Sequence, residues 1–175
     1  MSQTNAVWIA DDDRSIRWVL EKALNQAGII TRCFENGDGL LSELESEVPD
    51  AIISDIRMPG IDGLKLLSRI TAAHPGLPVI ITTAHSDLDS AVASYQGGAF
   101  EYLPKPFDVD DAVATTQRAL QHANKNRNLL PEQAPLETTE IIGEAPAMQE
   151  VFRAIGRLAQ SNITVLINGE SGTGK

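Results

Sequence analysis

The sequence holds a single cysteine, Cys33. That excludes a disulfide framework and any metal site built on paired thiolates. Basic side chains are scarce too: 14 Lys and Arg stand against 24 Asp and Glu, for a net charge of −10. The imbalance is uneven, with 9 basic and 18 acidic residues up to Asn124 and 5 and 6 after it. So acidic a region does not hold a polyanion by itself, and direct nucleic-acid binding by these residues is not expected. It suits a protein that collects a divalent cation. No apolar run approaches the roughly 20 residues that span a bilayer. The opening residues, MSQTNAVWIADDD, lack the basic stretch and apolar core of a secretory leader. The expectation is a soluble cytoplasmic protein with no membrane partner. No solenoid-length repeat and no low-complexity tract is present.

What is present is a regular alternation. With 175 residues, 42% of them apolar, the chain can build a real core. Short apolar runs fall at 7–10, 31–34, 51–54, 79–82 and 101–103. The third and fourth are solidly apolar, as in central strands buried on both faces. Between runs lie stripes at helical spacing: Ile16, Val19, Leu20, Ala23 and Leu24; then Leu64, Leu67 and Ile70; then Val109, Ala112, Val113 and Leu120. Gly28, Asn36-Gly37, Pro49-Asp50, Pro75-Gly76 and Gly97-Gly98 punctuate them. Five βα units in about 120 residues predict an α/β fold with a parallel sheet.

After Asn124 the texture changes. The stretch NKNRNLLPEQAPLETTE is polar and holds Pro131 and Pro135, so it reads as a linker. A helix is expected near 146–159 and an apolar strand at 163–167. The chain closes on NGESGTGK, in which Gly169, Gly174 and Lys175 fit the start of the phosphate-wrapping pattern G-x-x-x-x-G-K-[ST].

In an open parallel sheet, chemistry gathers beyond the carboxyl ends of the strands. The first run ends in Asp11, Asp12 and Asp13, the third in Asp55, the fourth in Thr82 and Thr83, the fifth in Lys105 between two prolines. Taken singly, each has a bland explanation; Asp13, just before a helix, reads as its N-cap. Together they put several carboxylates, a hydroxyl and an ammonium on one edge. In strand order 2-1-3-4-5, Asp11, Asp12 and Asp55 come within reach of one another. Crowded carboxylates stay ionised cheaply only around a cation, and all-oxygen ligands suit Mg²⁺. One carboxylate can then act as a phosphoryl acceptor, with Thr83 and Lys105 stabilising the phosphoryl oxygens.

The segments SDIRMPGIDG, TTAHSD and YLPKPF, with the acidic pair, resemble the receiver domain of bacterial two-component response regulators over roughly residues 5–124. The resemblance implies a flavodoxin-like (βα)5 fold. It implies that Asp55 accepts a phosphoryl group from a sensor histidine kinase. It further implies Mg²⁺ held by Asp12, Asp55 and the backbone carbonyl of Arg57, with Asp11 helping through water. Tyr102 matches an aromatic switch position, and Lys105-Pro106 a cis peptide. The remainder, IIGEAPAMQEVFRAIGRLAQSNITVLINGESGTGK, is similar to the start of the AAA+ ATPase of the nitrogen regulatory protein C family of σ54 activators. This implies a linker at 125–139 and an ATPase opening at 140–175. It implies ATP, σ54 RNA polymerase and enhancer DNA as ligands of the complete family members, and a homodimer.

Two enzymatic alternatives fare worse. An ATPase needs the Ser or Thr after the P-loop Lys, a following helix and an acidic strand, so no ATP binding is expected of these residues alone. An Asp-nucleophile phosphatase needs a second acid two residues on; that position is Arg57, which offers no usable proton. The expected role is a phosphorylation switch rather than an enzyme. Its switching surface is expected on the fourth helix (87–96), the fifth strand and the fifth helix, the fourth helix burying little.

Overall fold

A computed structural model describes residues 6–84 and 88–126, together with Val151, Ala154 and Ile155. Five strands, β1 (Ala6–Ala10), β2 (Ile30–Phe34), β3 (Ala51–Asp55), β4 (Val79–Thr83) and β5 (Glu101–Pro104), alternate with α1 (Arg14–Gln26), α2 (Gly37–Leu44), α3 (Gly63–Ala73), α4 (Leu88–Gln96) and α5 (Val109–Asn126). All pairings are parallel, in the order β2-β1-β3-β4-β5. This is the flavodoxin-like arrangement expected from the alternation. The helix α2 fills the second of the five βα units without a stripe of its own, since its sequence, GDGLLSEL, has two glycines. It forms because Asn36 caps it, accepting from the Gly39 amide at 2.8 Å, and because Leu40 and Leu44 reach the core.

Period-two alternation divides the strands between two cores. Trp8, Ala10, Ile52, Val79, Ile81 and Tyr102 face one core, shared with α2, α3 and α4. Val7, Ile9, Ala51, Ile53, Ile80 and Leu103 face the other, shared with α1 and α5. Ile155 packs, half-buried, against the first. Chain reversals at the far edge use glycine where the backbone turns left-handed. After α1, Gly28 has φ 77° and the Ile29 amide returns to the Leu24 carbonyl at 2.9 Å; after α4, Gly98 has φ 93° and Ala99 returns to Ser94 at 2.9 Å.

The helix α4 is better anchored than its small and polar residues suggested. Ala91, Val92, Ser94 and Tyr95 are buried. The Tyr95 hydroxyl donates to Glu101 Oε1 on β5, a carboxylate only 2% exposed. Glu101 Oε1 also accepts from the Tyr102 amide at 3.2 Å, and Arg118 Nη1 on α5 stands 3.6 Å from Oε2. One buried carboxylate therefore ties α4, β5 and α5 together. Glu101→Ala takes this acceptor from a buried phenol and a buried amide, and we expect a loss of about 2–3 kcal/mol in urea unfolding. Glu101→Gln keeps an acceptor oxygen and should lose less. Equal stability of the Ala variant and wild type would show that the cluster holds nothing.

Candidate phosphoacceptor site

The strand ends converge as the topology requires. β1 ends at Ala10; the Asp11 amide still donates to the Phe34 carbonyl at 3.2 Å, and Asp12 follows at once. Asp13 caps α1, its Oδ1 accepting from the Ser15 amide at 2.7 Å, a bond that lowers its pKa. Asp11 is buried and Asp12 exposed. Asp55 closes β3 and is 7% exposed. One carboxylate oxygen from each of Asp11, Asp12 and Asp55 lies within 4.8 Å of the others. Asp13, committed to its cap, is not among them.

Lys105 reaches this cluster from beyond β5. Its Nζ donates to Asp11 Oδ2 at 2.7 Å and stands 3.4 Å from Asp55 Oδ1. Its amide donates to the Thr83 carbonyl at 2.7 Å, and Lys105-Pro106 is cis as expected. Thr83, buried, ends β4 beside Pro104. Burial pushes the Asp55 pKa up, the Lys105 charge pulls it back, and the Asp11 charge raises it further. Three carboxylates against one ammonium leave an excess of negative charge on hard oxygen atoms, which fits a divalent cation such as Mg²⁺.

Arg57 lies exposed two residues past Asp55. Tyr102 is fully buried, its side chain already inside the first core. Gly169, Gly174 and Lys175 lie outside the described residues, as do positions 85–87 ahead of α4.

Three supporting residues escaped the sequence reading. Arg17 is buried under the β1–α1 loop and bonds the carbonyls of Asp11 and Asp12. Its signal was a charged residue set three and seven positions before Leu20 and Leu24, inside the apolar stripe. Asp38 Oδ2 accepts from the Ile61 amide at 3.2 Å and pins the β3–α3 loop. Gly63 donates to the Ile56 carbonyl at 2.7 Å, closing that loop onto the end of β3. Asp38 has no local signal because it acts across 23 positions of chain, whereas Gly63 closes the segment SDIRMPGIDG, whose pattern does not show which of its residues packs on the main chain.

Residues 7–117 match the response regulator receiver domain and residues 141–175 the sigma-54 interaction domain. The chain is 61% identical over 173 residues to the DNA-binding transcriptional regulator NtrC of Escherichia coli K12, a match covering 99% of this chain and 37% of that one. It thus spans little more than a third of the curated relatives it matches. Among solved structures, the apo receiver domain of nitrogen regulatory protein C is 62% identical with a TM-score of 0.63, covering 69% of this chain and 97% of that one. The beryllofluoride-activated form of the same domain aligns with a TM-score of 0.61, at the same identity and coverage.

Proposed function

This chain belongs to the response regulator receiver family, in the NtrC-like group that joins a receiver to a sigma-54 interaction domain, and from that premise we propose that Asp55 is its phosphoacceptor. The observation that carries the reading is the placement of Asp55: a nearly buried carboxylate at the end of a central strand, with Lys105 on one side and two further carboxylates within 4.8 Å. An Asp55 carboxylate oxygen attacks the phosphorus of a phosphohistidine on a sensor kinase. The new O–P bond forms as the P–N bond breaks, and the imidazole leaves with the electron pair. Asp55 must be ionised to do this.

Lys105 would pair with one phosphoryl oxygen, and the Thr83 hydroxyl would take another. Asp12, Asp55 and the Arg57 carbonyl would hold Mg²⁺, with Asp11 assisting through water; the ion supplies neutralisation of the phosphoryl charge. Residues 5–124 form the receiver, 125–139 the linker and 140–175 the opening of the ATPase. The switch works through Thr83, Tyr102 and the α4–β5–α5 face rather than by turnover. Its output is σ54-dependent transcription of nitrogen-assimilation genes in the bacterial cytoplasm, with ATP, σ54 polymerase and enhancer DNA engaged through the complete regulator.

The test is intact-mass measurement after incubation with acetyl phosphate. One phosphoryl group should appear with Mg²⁺ and none when EDTA removes it. Labelling that is indifferent to the metal would sink the site as drawn.

A further inference from the structure

Among the residues of α1, those buried are Arg17, Leu20 and Leu24. A guanidinium in such a stripe is costly unless its N–H groups are matched. Arg17 matches them in one direction: Nη1 donates to the carbonyl oxygens of Asp11 at 2.7 Å and Asp12 at 3.0 Å, and Nη2 to Glu35 Oε1 at 2.9 Å. Those two carbonyls belong to the two peptide planes that flank Asp12. Fixing both planes fixes φ and ψ of Asp12, and so the direction in which its side chain leaves the backbone. Among the described residues no hydrogen-bond donor holds the exposed Asp12 carboxylate itself. Its aim is set from the backbone side.

We infer that Arg17 is the positioning residue for the divalent cation, pre-orienting Asp12 toward Asp11 and Asp55 through the two carbonyls it clamps. This rests on the metal reading above. A competing effect has the opposite sign, because a nearby positive charge repels a cation. Two features reduce it: Glu35 pairs the guanidinium, and the fork faces carbonyl oxygens rather than the cluster's carboxylates. Removing Arg17 should therefore weaken Mg²⁺ binding, whereas a dominant repulsion would make removal strengthen it. Outer-shell partners of metal ligands typically matter by 10–100-fold in affinity.

The experiment is a Mg²⁺ titration of the whole 175-residue chain, followed by amide NMR shifts, for wild type, Arg17→Gln and Arg17→Lys. Thermal midpoints are recorded alongside, as are acetyl phosphate labelling rates at low and saturating Mg²⁺. Arg17→Gln should raise the apparent Kd roughly tenfold, with the labelling rate largely restored at saturating Mg²⁺. Arg17→Lys keeps the charge but loses the planar fork, and should fall between. A merely structural role would lower the midpoint and leave Kd unmoved. If Arg17→Gln does not fold, the Lys variant decides by the same criterion. A wild type without a saturable Mg²⁺ response would overturn the metal reading itself. A wild type that binds, beside a folded variant that binds equally or more tightly, overturns the positioning role alone.

Discussion

Asp55→Asn should end all gain of phosphoryl mass from acetyl phosphate and Mg²⁺, and should at the same time raise the thermal midpoint of the metal-free protein at neutral pH. The first effect follows from chemistry: the amide keeps the shape and lacks the nucleophilic carboxylate. The second follows from electrostatics. Desolvation, with the Asp11 charge, lifts the Asp55 pKa above its ordinary value of 3.8 despite the pull of Lys105. A carboxyl whose pKa is higher folded than unfolded binds its proton more tightly in the native state. Its ionisation therefore costs stability, and the cost is complete above the folded pKa. As pH falls below 3.8 both states are protonated and the cost disappears. The advantage of the Asn variant should accordingly be present at neutral pH and shrink on acidification, a stability given up for function. Thermal melts of both proteins across that range check the sign. An Asn variant that is the less stable at neutral pH would mean that the Lys105 contact outweighs the burial. An Asn variant that still gains the phosphoryl mass would move the acceptor to another residue.

Gly63→Ala should be among the most damaging single-methyl changes in the receiver. A Cβ there would run into the Asp55 carbonyl oxygen and stand 2.7 Å from Ile56 Cα and 2.9 Å from the Asp55 carbonyl carbon. All three are backbone atoms of β3 and the residue after it, so no flexible side chain can give way. The Gly63 amide is also bonded to the Ile56 carbonyl at 2.7 Å, which holds the two segments together. Overpacking against main chain costs about 3 kcal/mol, or a fall of roughly 10 °C in midpoint for a domain of this size. Relief requires the loop after Asp55 to lift away, which displaces Asp55 and the neighbouring Arg57 carbonyl. Any folded Gly63→Ala protein should then be labelled by acetyl phosphate more slowly than wild type, even at high Mg²⁺. An unchanged midpoint in denaturation would refute the close packing. Gly76→Ala is the contrast, since a Cβ there meets nothing within 4 Å, and it should be near neutral.

The fold was largely legible because its signals are local. The solid apolar runs at β3 and β4 become strands buried on both faces, and turn residues mark where the chain reverses. The helix with no stripe of its own, α2, is short and carries two glycines; its stability comes from a cap and two core leucines rather than from its own periodicity. By composition alone, α4 reads as loosely held. Its anchor is a single tyrosine whose hydroxyl reaches a carboxylate on the next strand, and composition does not record such a pairing.

The sequence by itself determined which groups stand at the strand ends: Asp11, Asp12, Asp55, Thr83 and Lys105 each follow an apolar run, and a parallel sheet sends all those ends to one edge. Tertiary structure decided how the groups share that edge. It brought the Lys105 ammonium to 2.7 Å from Asp11 but 3.4 Å from Asp55. It set Arg17, Asp38 and Gly63 behind the loops that hold the acids. The physical reason is range. Alternation and capping are written within a few residues, whereas Lys105 and Asp11 meet across 94 positions of chain. Contacts of that span follow from strand order and loop closure, which no local stretch encodes.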